Sequence, residues 1–278
     1  MTPPSPAPAP WGTHPVSAGP RRWLLRLLHS LPTGSAWRRL ALWLRKPLKN
    51  SLPPVVDVEI WGLRLRLQTR GNLSEQRLLL MPQHLDTLER AILARELRSG
   101  SVFFDIGANI GVYSLWVASA CGQAVRVEAF EPDPALCQRL SFNLATNTLT
   151  QVNLNPVALG RSEGTATLVS GAGNSGENRV EVAPDTEAAS GNLVVTTLTG
   201  FVSRKNIPRI DALKIDVEGF EVDILEPFFA TAPRSVWPRL LICELIHERE
   251  HALGRLLASQ GYVLTESSRL NGIYRLAH

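Results

Sequence analysis

Val102-Phe103-Phe104-Asp105-Ile106-Gly107-Ala108-Asn109-Ile110-Gly111-Val112-Tyr113-Ser114 decides the fold. An apolar run of strand type breaks at two glycines and continues, over Val112 to Cys121, with the spacing of a buried helix. A strand that turns tightly into a helix is the loop that binds nucleotide-like cofactors. Its glycines let the backbone come close to a ligand, and the helix N-terminus aims free N–H groups at it. The spacing here is Asp-x-Gly-x-Asn-x-Gly, so the Gly-x-Gly-x-x-Gly dinucleotide fingerprint fits poorly.

Two further pieces follow. Ala124 to Phe130 reads as the next strand and runs into Glu131-Pro132-Asp133-Pro134. An acidic residue about 20 positions after the glycine loop, at the end of a second strand, is placed to accept hydrogen bonds from a ribose. Asp211-Ala212-Leu213-Lys214-Ile215-Asp216-Val217-Glu218-Gly219-Phe220-Glu221 is again a short apolar strand with acidic residues off its carboxyl end. In open α/β sheets ligands sit outside the carboxyl ends of the strands, so the three pieces are expected to converge on one crevice.

These stretches, with Leu140-x-x-Asn143-x-x-x-Asn147 between them, occur in an order and spacing that resemble the FkbM family of S-adenosylmethionine-dependent methyltransferases. The resemblance covers about residues 100–247 and rests on the four motifs together. It implies a seven-stranded class I (Rossmann-like) methyltransferase sheet and methyl transfer to a hydroxyl, commonly on a sugar, glycan, glycolipid or secondary metabolite. One departure stands out. Where family members often carry Thr-Leu-Asp, this chain has Thr197-Leu198-Thr199, which removes an acidic group from that position.

S-adenosylmethionine asks a protein for a polar anchor at its amino-acid end, an acidic acceptor for the ribose, an apolar slot for adenine and a nucleophile in line with the sulfonium. By position Asp105 would accept from the amine, Gly107 and Gly111 would give close backbone approach, and Asn109 would cap the helix. Glu131 would take the ribose, and Val157 and Ala158 would wall the adenine. Asp216 is the leading carboxylate on the acceptor side, with Glu244 and His247 at the next strand end. A sugar hydroxyl is weakly acidic, and a carboxylate or His that accepts its proton assists methylation. Glu218 is a further candidate, whereas Glu221 is better read as a helix cap.

Two readings from other classes are set beside this one. His247-Glu248-Arg249-Glu250-His251 matches His-Glu-x-x-His, the pattern of a zinc hydrolase in which Glu248 activates water. The match sits at a strand exit, and no resident metal is expected. The other alternative is a cofactor-binding module without catalysis.

Charge is divided sharply along the chain. Residues 1–50 hold eight basic residues and no acidic one; removing those eight from the 29 basic residues leaves 21 against 25 acidic, a net of −4 for residues 51–278. A mildly acidic body argues against nucleic acid as substrate, because phosphate binding needs positive charge on the working face. Three cysteines, Cys121, Cys137 and Cys243, read as small buried hydrophobes. No window approaches a membrane span, and the expected location is cytoplasmic, peripheral at the inner face of the membrane.

Residues 1–20, with seven prolines, are expected to be a disordered leader, and residues 21–50 two amphipathic helices rich in Trp, Leu and Arg. These helices either dock on the body or meet an anionic membrane surface. Residues 51–99 are read as a β-hairpin and a helix, and residues 100–278 as the methyltransferase domain. Within that domain Val152–Leu159 is expected to be the third strand, Leu240–Ile246 the fifth core strand, and Tyr262–Glu266 with Gly272–Leu276 a closing pair. Gly160 to Asn192 is a long polar insertion, either a lid or a surface excursion.

Overall fold

A computed structural model describes residues 8–169, 179–181, 192–245 and 250–277. Its centre is a seven-stranded sheet built from β3 (Val102–Ile106), β4 (Arg126–Phe130), β5 (Val152–Asn155), β10 (Ala212–Ile215), β11 (Leu240–Glu244), β12 (Tyr262–Ser267) and β13 (Asn271–Leu276). Spatially the order is β12-β13-β11-β10-β3-β4-β5. The five strands from β11 to β5 are parallel, and β13 enters antiparallel between β11 and β12. This is the α/β, mostly parallel sheet with an antiparallel closing hairpin that the pattern of elements predicts.

Parallel strands need apolar side chains on both faces, because helices cover both. In β3 the alternation divides cleanly. Phe103 joins one core with Val127, Leu115 and Leu140, while Val102, Phe104 and Ile106 join another with Phe130, Phe201, Leu213 and Phe228. The helices that supply these layers include α5 (Val112–Cys121), α6 (Pro134–Thr146), α7 (Leu198–Arg204), α8 (Glu221–Thr231) and α9 (Glu250–Ser259).

The first core continues into the N-terminal extension. There β1 (Val55–Ile60) and β2 (Leu63–Gln68) form the expected hairpin around Trp61-Gly62, preceded by α1 (Pro20–Ser30) and α2 (Ser35–Ser51). Leu25, Leu28, Ala41 and Leu48 are buried in the same cluster as Val56, Leu65 and Leu79, so one face of each basic helix docks on the body. Two helices follow the hairpin, α3 (Leu73–Leu80) and α4 (Thr87–Glu96). The single helix expected after the hairpin is thus two. No helix among the described residues is long and apolar enough to cross a membrane.

Two expectations need correction. The second half of the supposed leader is bound: Gly12 and His14 donate backbone N–H bonds to the Asp57 carboxylate, and Trp11 donates to the Leu65 carbonyl. Buried Asp57 needs partners, and the leader's free N–H groups supply them alongside Arg66. The strand expected at Val152–Leu159 breaks at Pro156, which has no N–H for a ladder; β5 stays in the main sheet and β6 (Ala158–Leu159) joins a second one. That second sheet, ordered β6-β9-β7-β8 with β7 (Gly164–Val169), β8 (Arg179–Glu181) and β9 (Asn192–Thr196), occupies the described part of the insertion. Residues 170–178 and 182–191 of the insertion lie outside the described residues.

Candidate active site

A cavity of about 510 Å³ opens at the carboxyl ends of β3, β4, β10 and β11, inside the range of sites for small ligands. Its floor is the glycine loop and the strand ends. Its roof is Leu73, Ser74 and Arg77 of α3 with Leu85 and Asp86, and one wall is Val157, Ala158, Leu159 and Val195. Among the ionisable lining residues Asp86, Glu131, Asp216, Glu218, Asp223 and Glu244 outnumber Arg77, Arg161 and Lys214. An acidic lining suits a cationic cofactor and repels a phosphate backbone.

The residues expected at the cofactor separate into two groups. Gly107, Asn109, Glu131, Val157 and Ala158 line the cavity; Asp105 and Gly111 do not. Asp105 is buried, and its Oδ2 accepts from Ser114 N at 3.0 Å and Ser114 Oγ at 2.6 Å. It therefore fixes the first turn of α5 instead of facing a ligand. Its Oδ1 has no hydrogen-bond partner, and burial raises its pKa against the pull of Lys214. Gly111 is left-handed at φ 82°, and a Cβ there would lie 2.3 Å from Leu140 Cδ1, so its role is to let α6 pack. Asn109 does not cap α5 either. Its Oδ1 accepts from Ile110 N and from Asn72 Nδ2, both at 2.8 Å, tying the glycine loop to the start of α3.

Gly107 is the strictest position in the loop. It has φ +74°, and a Cβ would sit 1.9 Å from the Asp216 carbonyl oxygen, in the backbone just past the end of β10. The ends of β3 and β10 thus meet at a point where no side chain fits.

Glu131 receives Asn109 N at 2.7 Å on one oxygen and Asp133 N at 2.9 Å on the other. Burial pushes its pKa up to about 7, against these N–H groups, which pull it down. Its position at the end of β4 and its remaining lone pairs fit an acceptor for hydroxyl donors.

On the opposite side stand Asp216, Glu218 and Glu244. Lys214 Nζ, buried beneath them, lies 3.1 Å from Asp216 Oδ2 and over the Tyr113 ring. Burial works against the Lys214 charge, but Asp216 and Asp105 outweigh it and hold its pKa above the ordinary value. Glu244 shares a hydrogen bond with Asp216; burial first, then Asp216 and Glu218, push its pKa up to about 8. At neutral pH Glu244 therefore keeps its proton, which its hydrogen bond offers to Asp216. His247 and Glu248 lie outside the described residues, while His251 stands in the first turn of α9. Glu221 Oε1 accepts from Val217 N and Gly219 N, so it braces the loop before α8 instead of capping that helix, whose N-terminus receives no side-chain cap bond. Thr199, at the departure from the family pattern, meets Thr231 Oγ1 at the surface, away from the cavity lining.

Lys214, Tyr113, Asp86 and Arg77 were missed from sequence. A lysine inside an apolar strand was the available signal for the first. The others are joined only by folding, through Tyr113 Oη donating to Asp86 Oδ2 and Arg77 pairing with Asp86 Oδ1.

The chain matches the methyltransferase FkbM domain over residues 105–264, more than half of its length. The chain belongs to this family. The hexuronic acid methyltransferase AglP of Haloferax volcanii is 28% identical over 183 residues, covering 65% of this chain and 70% of that protein. The 31-O-demethyl-FK506 methyltransferase FkbM of Streptomyces tacrolimicus is 30% identical over 193 residues, covering 59% and 72%. Among solved structures, methyltransferase FkbM from Methylobacillus flagellatus aligns with a TM-score of 0.42 at 16% identity, covering 64% of this chain and 44% of that one. Membership in the family makes this an S-adenosylmethionine-dependent methyltransferase with the class I fold, and displaces the hydrolase and non-catalytic readings.

Proposed function

We propose that the enzyme methylates a hydroxyl of a sugar, glycan or secondary metabolite. The observation that carries this is the Asp216–Glu244 carboxyl pair set over Lys214 at the cavity floor. The residues present fit the cofactor: the cavity is large enough and acidic, Glu131 is an acceptor at the second strand end, and Val157 and Ala158 offer an apolar wall. S-adenosylmethionine, when bound, supplies an electrophilic methyl group. The chain's own task is then to take the proton the acceptor oxygen gives up as the O–C bond forms.

Glu244, once ionised, accepts that proton, with the Lys214 ammonium 3.1 Å from Asp216 Oδ2 beside it. Since burial holds Glu244 up to about 8, this base is unmasked only as the pH rises through that value. kcat/KM, which reports the free enzyme, is expected to climb to a plateau above pH 8. Among the relatives, one name specifies a hexuronic acid and another an O-methyl position, which supports an oxygen acceptor. The test is a screen of hydroxyl and carboxyl acceptors with labelled cofactor, followed by Glu244→Gln. A base-stable methyl ether, with kcat/KM down about 100-fold and the pH limb gone in the variant, is the expected result. A base-labile methyl ester, formed equally well by the variant, overturns the hydroxyl reading, since a carboxylate acceptor needs no base.

A further inference from the structure

The two N-terminal helices each have a second face. Leu25, Leu28 and Leu31 anchor α1, and Ala41 and Leu48 anchor α2, yet Trp23 is 66% exposed, Trp43 75%, Trp37 45% and Leu40 38%. Packing has taken the leucines and left the large aromatics in water. Helical spacing places Trp43 beside Arg39, Leu40 and Lys46, at i−4, i−3 and i+3, and Trp23 beside Arg26 at i+3. All eight cations of residues 21–49 stand on this pair of helices, seven of them exposed, and among the described residues none is in an ion pair.

We infer that this face binds the surface of an anionic lipid bilayer. Indole rings and leucine suit the boundary between headgroups and acyl chains, and the cations around them suit anionic headgroups. A second copy of the chain is a poor occupant, because a symmetric contact would set eight cations against eight. Nucleic acid is a poor one too: the charged residues lining the cavity it would have to reach are mainly carboxylates. The inference goes beyond the proposed reaction and does not depend on it.

The test is sedimentation of the full-length chain with vesicles of phosphatidylcholine alone or mixed equally with phosphatidylserine. Binding to the mixed vesicles only, weakened at least tenfold between about 50 and about 500 mM salt, is expected. A basic residue near an anionic surface is worth about fivefold in partitioning, so Arg39→Glu with Lys46→Glu should cut binding at least about 25-fold. Trp23→Ser with Trp43→Ser should cut it about tenfold, with the melting temperature unchanged because both rings are already in water. Absent binding, equal binding to neutral vesicles, insensitivity to these substitutions, or salt-sensitive capture of duplex RNA in place of vesicles would each overturn the assignment.

Discussion

Glu131 and Gly107 show how single residues carry both structure and ligand. The folded pKa of Glu131, about 7, lies above the ordinary 4.5, so the empty protein holds a proton that the unfolded chain has released. Its contribution to stability is complete below pH 4.5 and is lost as the pH rises to 7, a change of about 3 kcal/mol. Hydroxyl donors on a bound ribose favour the ionised carboxylate, so binding S-adenosylhomocysteine near pH 6 should release a proton. Calorimetry in two buffers of different ionisation enthalpy reads that release. In Glu131→Ala it should vanish, with affinity lower by about 1–3 kcal/mol; an unaltered affinity removes Glu131 from the site. Gly107→Ala is a purely structural test. The added methyl group meets the backbone of Asp216, whose N–H is bonded to the Ile106 carbonyl, and a loss of about 3 kcal/mol or more in urea denaturation is expected. Gly111→Ala should cost less, because the obstacle is the end of a leucine side chain.

At the scale of elements, α6 does more than fill a layer. Asn143 and Asn147, one turn apart, each accept from and donate to the backbone of β2: Arg66 N and O for the first, Arg64 N and O for the second. The two amides stand in for a neighbouring strand along an otherwise open edge. Asn143→Ala should cost about 1–3 kcal/mol, since it leaves the Arg66 N–H and carbonyl without those bonds, and hydrogen exchange at Arg66 should rise. The motif was visible in the sequence, but this use of it was not, because its partner lies 77 residues away. By contrast β3, β4, β10 and the closing pair are legible, since each is an apolar run bounded by glycine, proline or charge. Helix α3 was missed although Asn72 caps it through Glu75 N, as the Asn-x-x-Glu spacing allows. Its three consecutive leucines, Leu78 to Leu80, blur the helical period because they meet the body on several sides. The β6–β9 sheet was illegible for a related reason: short strands take their register from partners that sequence does not name.

For the whole molecule, the extension is part of the fold. Residues 8–52 contribute Leu25, Leu28, Leu31, Leu48 and Leu52 to the main core, so deleting them should lower the melting temperature by about 10 °C or more. The roof of the cavity deepens the point. Leu73, Ser74, Arg77, Leu85 and Asp86 all precede Asp105, where the family match begins. The roof of the cavity and its floor are therefore written in separate stretches of the chain. A chimera carrying the residue 55–99 segment of another family member should keep its affinity for S-adenosylhomocysteine within a few-fold and take on the donor's acceptor preference, as competition between the two parents' acceptors would reveal. On that outcome the catalytic sheet is an engine block, and the hairpin with its two helices the interchangeable head that decides which fuel it burns.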